Sequence, residues 1–326
     1  MKAVWYEGFG PAAEVLQAGE MPTPEPGPGE VLVRLHASGV NPSDVKLRAG
    51  ARPGATMAFP RIVPHSDGAG VIEAVGEGVD PAREGERVWI WNGQWRRAHG
   101  TAAEYIALPA SQAVRLPEGT SFAEGACLGI PALTAWYGVL GDGPVEGQTV
   151  LVSGGAGTVG RYAVQIARAS GATVITTVSS PEKAAHAGEA DHILNYREEQ
   201  VAPKVMELTG GRGVERIVEV DFGANQKISQ EIIAEGGTIA AYASAADMTP
   251  TLSFYALMFR NVTLRMMLVY LLDPGRRRRA EAELTCWLEE GRLSHAVAAT
   301  FPLDRTAAAH EAVEAGAKLG TVVVEV

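Results

Sequence analysis

The residues with the clearest chemical potential are Gly154-Gly155-Ala156-Gly157-Thr158-Val159-Gly160. A run of β-formers, Thr149 to Val152, leads into them. A helix-like segment follows, with Val159, Ala163, Ile166 and Ala167 at three-to-four spacing, and a second β-rich run, Ala172 to Val178, closes the unit. Strand, glycine turn, helix, strand is the first half of a dinucleotide-binding fold. The turn sets unpaired N–H groups at the positive end of a helix dipole, where a pyrophosphate binds. Within Gly155-x-Gly157-x-x-Gly160, Gly155 is expected to make the tight turn. Gly157 would let backbone approach phosphate, and Gly160 would let the helix pack close. Ala156, Thr158 and Val159 complete the phosphate-facing set.

A selective NAD site keeps a carboxylate after the second strand, for the ribose 2′-hydroxyl. Here that strand ends in Ser179-Ser180-Pro181-Glu182-Lys183. Two hydroxyls and an ammonium suit a 2′-phosphate better than a diol, so NADPH is the expected cofactor. Glu182 argues the other way but lies further on. Tyr196, in Asn195-Tyr196-Arg197 after the next strand-like run, offers a second contact.

These residues must be positioned by a chain of 326 residues, enough for two domains. Its composition is ordinary for a globular protein, and its formal charge of −10 argues against a general nucleic-acid binder. The basic run Arg276–Arg279 opens a helix rich in Ala and Glu and reads as a solvated helix start. Cys127 and Cys286 are too few and too far apart for a metal cluster or a disulfide framework. No signal-type segment opens the sequence. The most apolar stretch, Val262–Leu272, contains Arg265 and is too short to span a bilayer. A soluble, cytoplasmic protein without membrane partners is expected.

Residues 1–120 read as β-rich, with strands expected at 2–6, 30–40, 68–75, 87–91, 101–108 and 113–116. Residues 121–140 read as a helix capped by Ser121, with Glu124 three residues on. Strands at 149–153, 172–178, 192–195, 216–220 and 236–242 then alternate with helices, which implies a doubly wound parallel sheet. A helix over 280–290 and a last strand over 320–326 follow. That strand is expected to return to the β-rich part.

Landmarks recur along the chain: Gly39-Val40-Asn41-Pro42-Ser43-Asp44, Asp67-Gly68-Ala69-Gly70-Val71, Gly85-Glu86-Arg87-Val88, Ala103-Glu104-Tyr105 and Gly129-Ile130-Pro131-Ala132-Leu133-Thr134-Ala135-Trp136. With the glycine turn they resemble the medium-chain dehydrogenase/reductase superfamily over essentially the whole chain. The nearest likeness is to its zinc-independent, zeta-crystallin-type NADPH:quinone oxidoreductases. The resemblance implies an α/β fold: a GroES-like β-rich catalytic domain (1–120 and 266–326) plus a Rossmann doubly wound parallel-sheet domain (121–265).

In zinc-dependent members the catalytic metal is held by a Cys, a His and a Cys. Motif alignment places Asn41, Ser66 and a residue near Ile130 at those positions, with His65 one residue off. On an extended chain His65 would point the opposite way. The resemblance therefore implies no metal, and hydride transfer to an acceptor that is already electrophilic, a quinone. A 2-alkenal or enone is the alternative acceptor, and a structural or RNA-binding zeta-crystallin-like protein is the non-enzymatic one. Asn41 corresponds to the residue beside the nicotinamide, able to bond the cofactor ribose or the substrate oxygen. Lys46 stands where relatives carry Tyr and is a candidate proton donor, with a surface lysine as the alternative. Thr134, Ala243, Ser244 and Lys318 complete the cofactor-binding set. Trp89, Trp91 and Trp95 are either an aromatic wall for a quinone ring or core packing. The apolar run Asn261–Leu272 is expected at a sheet edge, where a second copy would pair antiparallel to make a homodimer.

Overall fold

The structure, a computed structural model, describes residues 1–51, 54–316 and 319–326. It divides into two compact units, Met1–Ile130 with Glu281–Val326, and Pro131–Ala280. The strands in chain order begin with β1 (Lys2–Trp5), β2 (Gln17–Glu20), β3 (Glu30–Val40), β4 (Asp67–Val75), β5 (Arg87–Ile90), β6 (Tyr105–Pro109) and β7 (Ala113–Arg115). They continue with β8 (Thr149–Val152), β9 (Thr173–Val178), β10 (His192–Asn195), β11 (Val214–Glu219), β12 (Ile233–Ala241) and β13 (Thr263–Met266). β14 (Val297–Pro302) and β15 (Thr321–Glu325) close the chain.

In the first unit a seven-stranded sheet runs β14-β15-β3-β4-β5-β7, with β6 also paired to β3. Alternate residues of β3, Val31, Val33 and Leu35, enter a core with Ile72, Val88, Ile90, Ile106 and Leu108. β15 pairs antiparallel with β3, Val322 opposite Val40, so the C-terminal strand does return to the β-rich unit.

The second unit is one parallel six-stranded sheet, β10-β9-β8-β11-β12-β13. The chain steps outward from β8 to β9 and β10, then crosses back to β11. The order therefore reverses between β8 and β11, and in such sheets ligands bind outside the carboxyl ends of the strands at this point.

Two strands lack the alternation that would reveal them: β2 is Gln-Ala-Gly-Glu and mostly exposed, and β14 is largely exposed. The segment 121–140 is not one helix. Ser121 and Glu124 form the expected capping box on Phe122–Gly125. A π-helical turn, Leu128–Ala132, then precedes helix Leu133–Leu140. Pro131 lies in that turn, where its missing N–H and its ring prevent regular α pairing.

The helix expected at 280 starts at Pro274, because the Asp273 carboxylate accepts from the N–H groups of Gly275 and Arg276. Arg276, Arg278 and Arg279 are exposed, as a solvated helix start would have them, and one arginine departs from that reading. Arg277 is buried and donates to the Val269 carbonyl, and Arg279 lies over the Trp136 ring. These contacts carry the second unit past 265. At the other limit, stacking of Phe122 on His36 carries the first unit past 120. No helix among the described residues is long and apolar enough to cross a membrane.

Candidate active site

In the first unit a buried polar cluster forms where β3 ends and β4 begins. Asn41 follows β3 and caps the helix Pro42–Arg48: its N–H donates to Asp44 Oδ2 at 2.8 Å, and the Asp44 N–H donates to its carbonyl at 3.0 Å. The Asn41 side-chain Nδ2 donates to Asp67 Oδ2, also at 2.8 Å. The Ile130 N–H donates to the same oxygen at 2.8 Å, while Asp67 Oδ1 is buried with no partner.

Burial pushes the Asp44 carboxyl up to about 7, against the opposing bonds from the Asn41 backbone and side chain and from the Ser66 N–H. Burial likewise holds Asp67 well above the usual carboxylate range; the Ile130 N–H opposes it and the nearby Asp44 adds to it. Two acids buried this close favour at least one bound proton at neutral pH.

His65 is not on extended chain. Its φ is 78°, in the left-handed region, and its ring lies wholly inside the protein. His65 Nδ1 is 2.8 Å from Ser38 Oγ, which is 2.7 Å from Thr101 Oγ1. Its Nε2 is 2.8 Å from Nε2 of the buried His310. The direction of these bonds follows from one end. Thr101 donates to the Asp67 carbonyl at 2.5 Å, so its only proton is used. Ser38 must then donate to Thr101, His65 Nδ1–H to Ser38, and His310 Nε2–H to His65 Nε2. The series ends at His310 Nδ1, a buried lone pair without a partner.

Both imidazoles are therefore neutral. Burial holds His65 well below its ordinary value, helped by His310; burial and then Arg48 bring His310 to about 3. The residues at the zinc-ligand positions offer an amide committed to Asp67, a buried Ser66 hydroxyl with no partner, and an apolar Ile130.

Lys46 is exposed, on the helix Pro42–Arg48, so the burial that would sharpen a proton-donating role is absent. Trp89 is fully buried in β5 and belongs to the core rather than to a wall. Trp91 and Trp95 are half-buried, and Arg96 lies over the Trp95 ring.

In the second unit the turn after β8 uses its glycines differently from the sequence expectation. The left-handed residue is Gly154, φ 69°, not Gly155. The amides of Gly154 and Gly155 are spent on Thr177, at 3.1 Å each, which ties the turn to β9. Gly157, exposed, is the N-cap of helix Thr158–Ala169. A Cβ at Gly160 would stand 2.2 Å from the Gly154 carbonyl oxygen, so only glycine lets the helix start approach the turn. The first N–H groups of an α-helix have no acceptor within it, and this helix opens directly after Gly157.

At the end of β9, Lys183 Nζ bonds Ser179 Oγ at 3.0 Å. Ser180 is the N-cap of Pro181–Ala187 and accepts from the Lys183 N–H, so its hydroxyl is engaged in holding the helix. Glu182 and Tyr196 are exposed. After β12, the Ala243 carbonyl accepts from the Phe222 N–H and Ser244 Oγ accepts from the Gly223 N–H at 2.9 Å. Thr134 is buried in its helix. Lys318 lies outside the described residues.

The sequence reading did not single out Glu219, buried at the end of β11. It accepts from Ser153 Oγ, Asn225 Nδ2 and the Asp221 N–H. Burial nonetheless raises its pKa. An acid directly after the apolar pair Ile217-Val218, at the carboxyl end of a parallel strand, was the available signal.

Two family patterns match: "Alcohol dehydrogenase GroES-like domain" over residues 27–118 and "Zinc-binding dehydrogenase" over 158–285. The human protein named quinone oxidoreductase is 30% identical over 317 residues, covering 95% of this chain and 93% of its own. The chain belongs to the medium-chain dehydrogenase/reductase superfamily.

Its solved neighbours cover this whole chain. A structure titled as an NAD-dependent alcohol dehydrogenase is 31% identical, with TM-score 0.89 and all of that chain covered. A mycobacterial protein solved with NADPH is 32% identical, with TM-score 0.86 and all of that chain covered. A 2-haloacrylate reductase is 29% identical, with TM-score 0.86 and 99% of that chain covered. The chain is an oxidoreductase with a GroES-like unit and a Rossmann unit, and it is similar to proteins named quinone oxidoreductase.

Proposed function

We propose that this oxidoreductase is zinc-independent and uses NADPH to reduce a quinone. The observation that carries the reading is the Asn41–Asp67 pair. Where a zinc enzyme of the superfamily has a thiolate, this chain has a neutral amide already bonded to a buried carboxyl. Such a group does not replace a thiolate as a zinc ligand, so this position would hold no Lewis acid for an alcohol. The acceptor must then carry its own electrophilicity, as a quinone does by conjugation.

The glycine turn fits a dinucleotide, since only glycine at 160 lets the helix N-terminus close on the turn. Thr158, Val159 and Gly160 would face its pyrophosphate, with Gly155, Ala156 and Gly157 shaping the turn. Lys183, held by Ser179, would bind the 2′-phosphate with Ser180 and Tyr196 beside it. Thr134, Ala243 and Ser244 would line the same ligand. When bound, NADPH supplies the hydride. Asn41 would orient the reacting pair, and the exposed Lys46 would supply the proton from the solvent side.

The deciding experiment is steady-state oxidation of NADPH and NADH against quinones and α,β-unsaturated carbonyls, before and after dialysis against a chelator. Quinone turnover with NADPH, unchanged by chelation, is expected. Loss of turnover with loss of stoichiometric zinc would overturn the assignment. Faster turnover of enones would favour the second reading, a 2-alkenal or enone reductase, which the 2-haloacrylate reductase neighbour supports. Retention of RNA at physiological salt without turnover would favour a binding role, against which the net charge of −10 speaks.

A cytoplasmic homodimer completes the proposal. β13 is an edge strand, and Met266, Leu268 and Leu271 beside it are exposed, as are Phe254, Tyr255 and Phe259. Val269, by contrast, is buried, outside the strand and not at an edge position. Antiparallel pairing of β13 with its copy would satisfy the open edge and cover this apolar surface. Light scattering should give about 69 kDa, twice the 34.3 kDa chain. Thr263→Glu with Met266→Glu should lower it toward the monomer; an unaltered dimer would exclude this interface.

A further inference from the structure

The Asn41 side chain can serve a ligand in two opposite ways. It can donate from Nδ2 to an oxygen that is gaining negative charge, or accept at Oδ1 from a hydroxyl. The two ends of a carboxamide point apart, so the end the protein grips decides which end can turn to a ligand; Oδ1 here also faces the Asp44 N–H across the capping box and keeps a second lone pair.

Three observations bear on which end is held. Nδ2 lies 2.8 Å from Asp67 Oδ2, and the Asp44 carboxyl also draws a bond from the Asn41 side chain. The anchoring oxygen is itself fixed, because the Ile130 N–H reaches it at 2.8 Å. The other Asp67 oxygen is walled in: a Cβ at Gly129 would stand 2.2 Å from Oδ1, and the residue is wholly buried. Asp67 therefore has no room to turn. Its anchoring also survives a change of protonation, because the proton can sit on the unpartnered Oδ1 while Oδ2 keeps both N–H donors.

We propose that Asp67 is a positioning residue: by gripping the Asn41 amide through its nitrogen, it sets Asn41 to accept a hydrogen bond from a ribose hydroxyl of the cofactor rather than to donate one to a reduced oxygen. The role of Asn41 as a cofactor contact rests on the function proposed above; the grip itself does not. In this arrangement Asn41 governs how the cofactor is oriented, and the charge developing on the acceptor must be met by other groups.

The test compares wild type, Asp67→Leu, Asn41→Ala and the double variant, each checked by thermal melting; leucine has the shape of the aspartate and no acceptor. NADPH binding is read by fluorescence, and turnover is read with NADPH and with N-benzyl-1,4-dihydronicotinamide, a hydride donor without ribose. Asn41→Ala and Asp67→Leu should each weaken NADPH about tenfold, the scale of one hydrogen bond. The double variant should be no weaker than Asn41→Ala, and turnover of the truncated donor should change little. Additive losses, equal losses with the truncated donor, or NADPH binding unchanged in a folded Asp67→Leu protein would overturn the proposal.

A second readout needs no ligand. The Asn41 side-chain NH2 should exchange slowly with solvent in wild type and rapidly in Asp67→Leu. Fast exchange in wild type refutes the grip even if Asp67→Leu fails to fold. If wild type binds no NADPH while that NH2 is protected, the proposed function fails and the grip stands.

Discussion

The candidate sites of the two units are built from different materials. At the start of helix Thr158–Ala169 the available groups are backbone amides, and side chains matter by being absent: Gly160 touches the Gly154 carbonyl region closely enough to exclude a Cβ. Around Asn41 the groups are side chains, and each depends on a partner far away in sequence, Asp67 or His310. A backbone site is set by a few neighbouring residues and tolerates little change at them. A side-chain site is spread over the chain, and its properties reside in burial and charge.

The strongest way to break this contrast is Gly160→Ala. The added methyl must displace backbone, so NADPH affinity should fall about a hundredfold, the upper end of the ~1–3 kcal/mol typical of forced overpacking. Titration by fluorescence checks it; near-normal binding would mean that the turn is not the phosphate cradle.

The first unit should answer instead through pH. A His whose folded pKa lies below its unfolded value binds more protons when unfolded, so its contribution to stability is present above about 6.5 and is lost as pH falls toward 3. The raised Asp44 works in the opposite sense: its contribution is present at low pH and is lost as pH rises from 3.8 to about 7. Removing His310 isolates its share. Between pH 7 and 5, wild type should lose about 2 kcal/mol relative to His310→Gln, measured by denaturant melts. Parallel pH profiles for the two proteins would show that the imidazole pair does not govern acid stability.

The smallest effect sharpens the comparison inside the second unit. Lys183→Ala should cost about tenfold in NADPH affinity while leaving NADH unchanged, as expected for one ammonium–phosphate bond. Equal losses with both cofactors would move the 2′-phosphate elsewhere.

The same contrast explains what could be read from the sequence. The glycine turn, the alternating strands and the capping box at Ser121 are local patterns, and each has its counterpart in the structure. The return of β15 to β3 was legible because its apolar strand had no place in a doubly wound sheet. The error at Gly155 came from reading the three-glycine pattern without its extra member, since φ belongs to the residue that makes the bend, here Gly154. Asp67 was visible only as part of a landmark. That it grips Asn41 depends on β3 and β4 lying side by side, which no spacing reveals. Lys46 was readable by type but not by exposure. The pairing of His65 with His310 spans 245 positions and left no local sign.

The one-way series of hydrogen bonds through Thr101, Ser38, His65 and His310 has an evolutionary consequence. Its four members cannot drift one at a time. Replacing Thr101 by Val would leave the Ser38 proton without its acceptor; turning that proton toward His65 would reverse both imidazoles and strand an N–H at His310, a costlier orphan than the lone pair now there. Among descendants of this sequence, positions 38, 65, 101 and 310 are therefore expected to be kept or exchanged as a set, whatever happens to the acceptor the enzyme reduces.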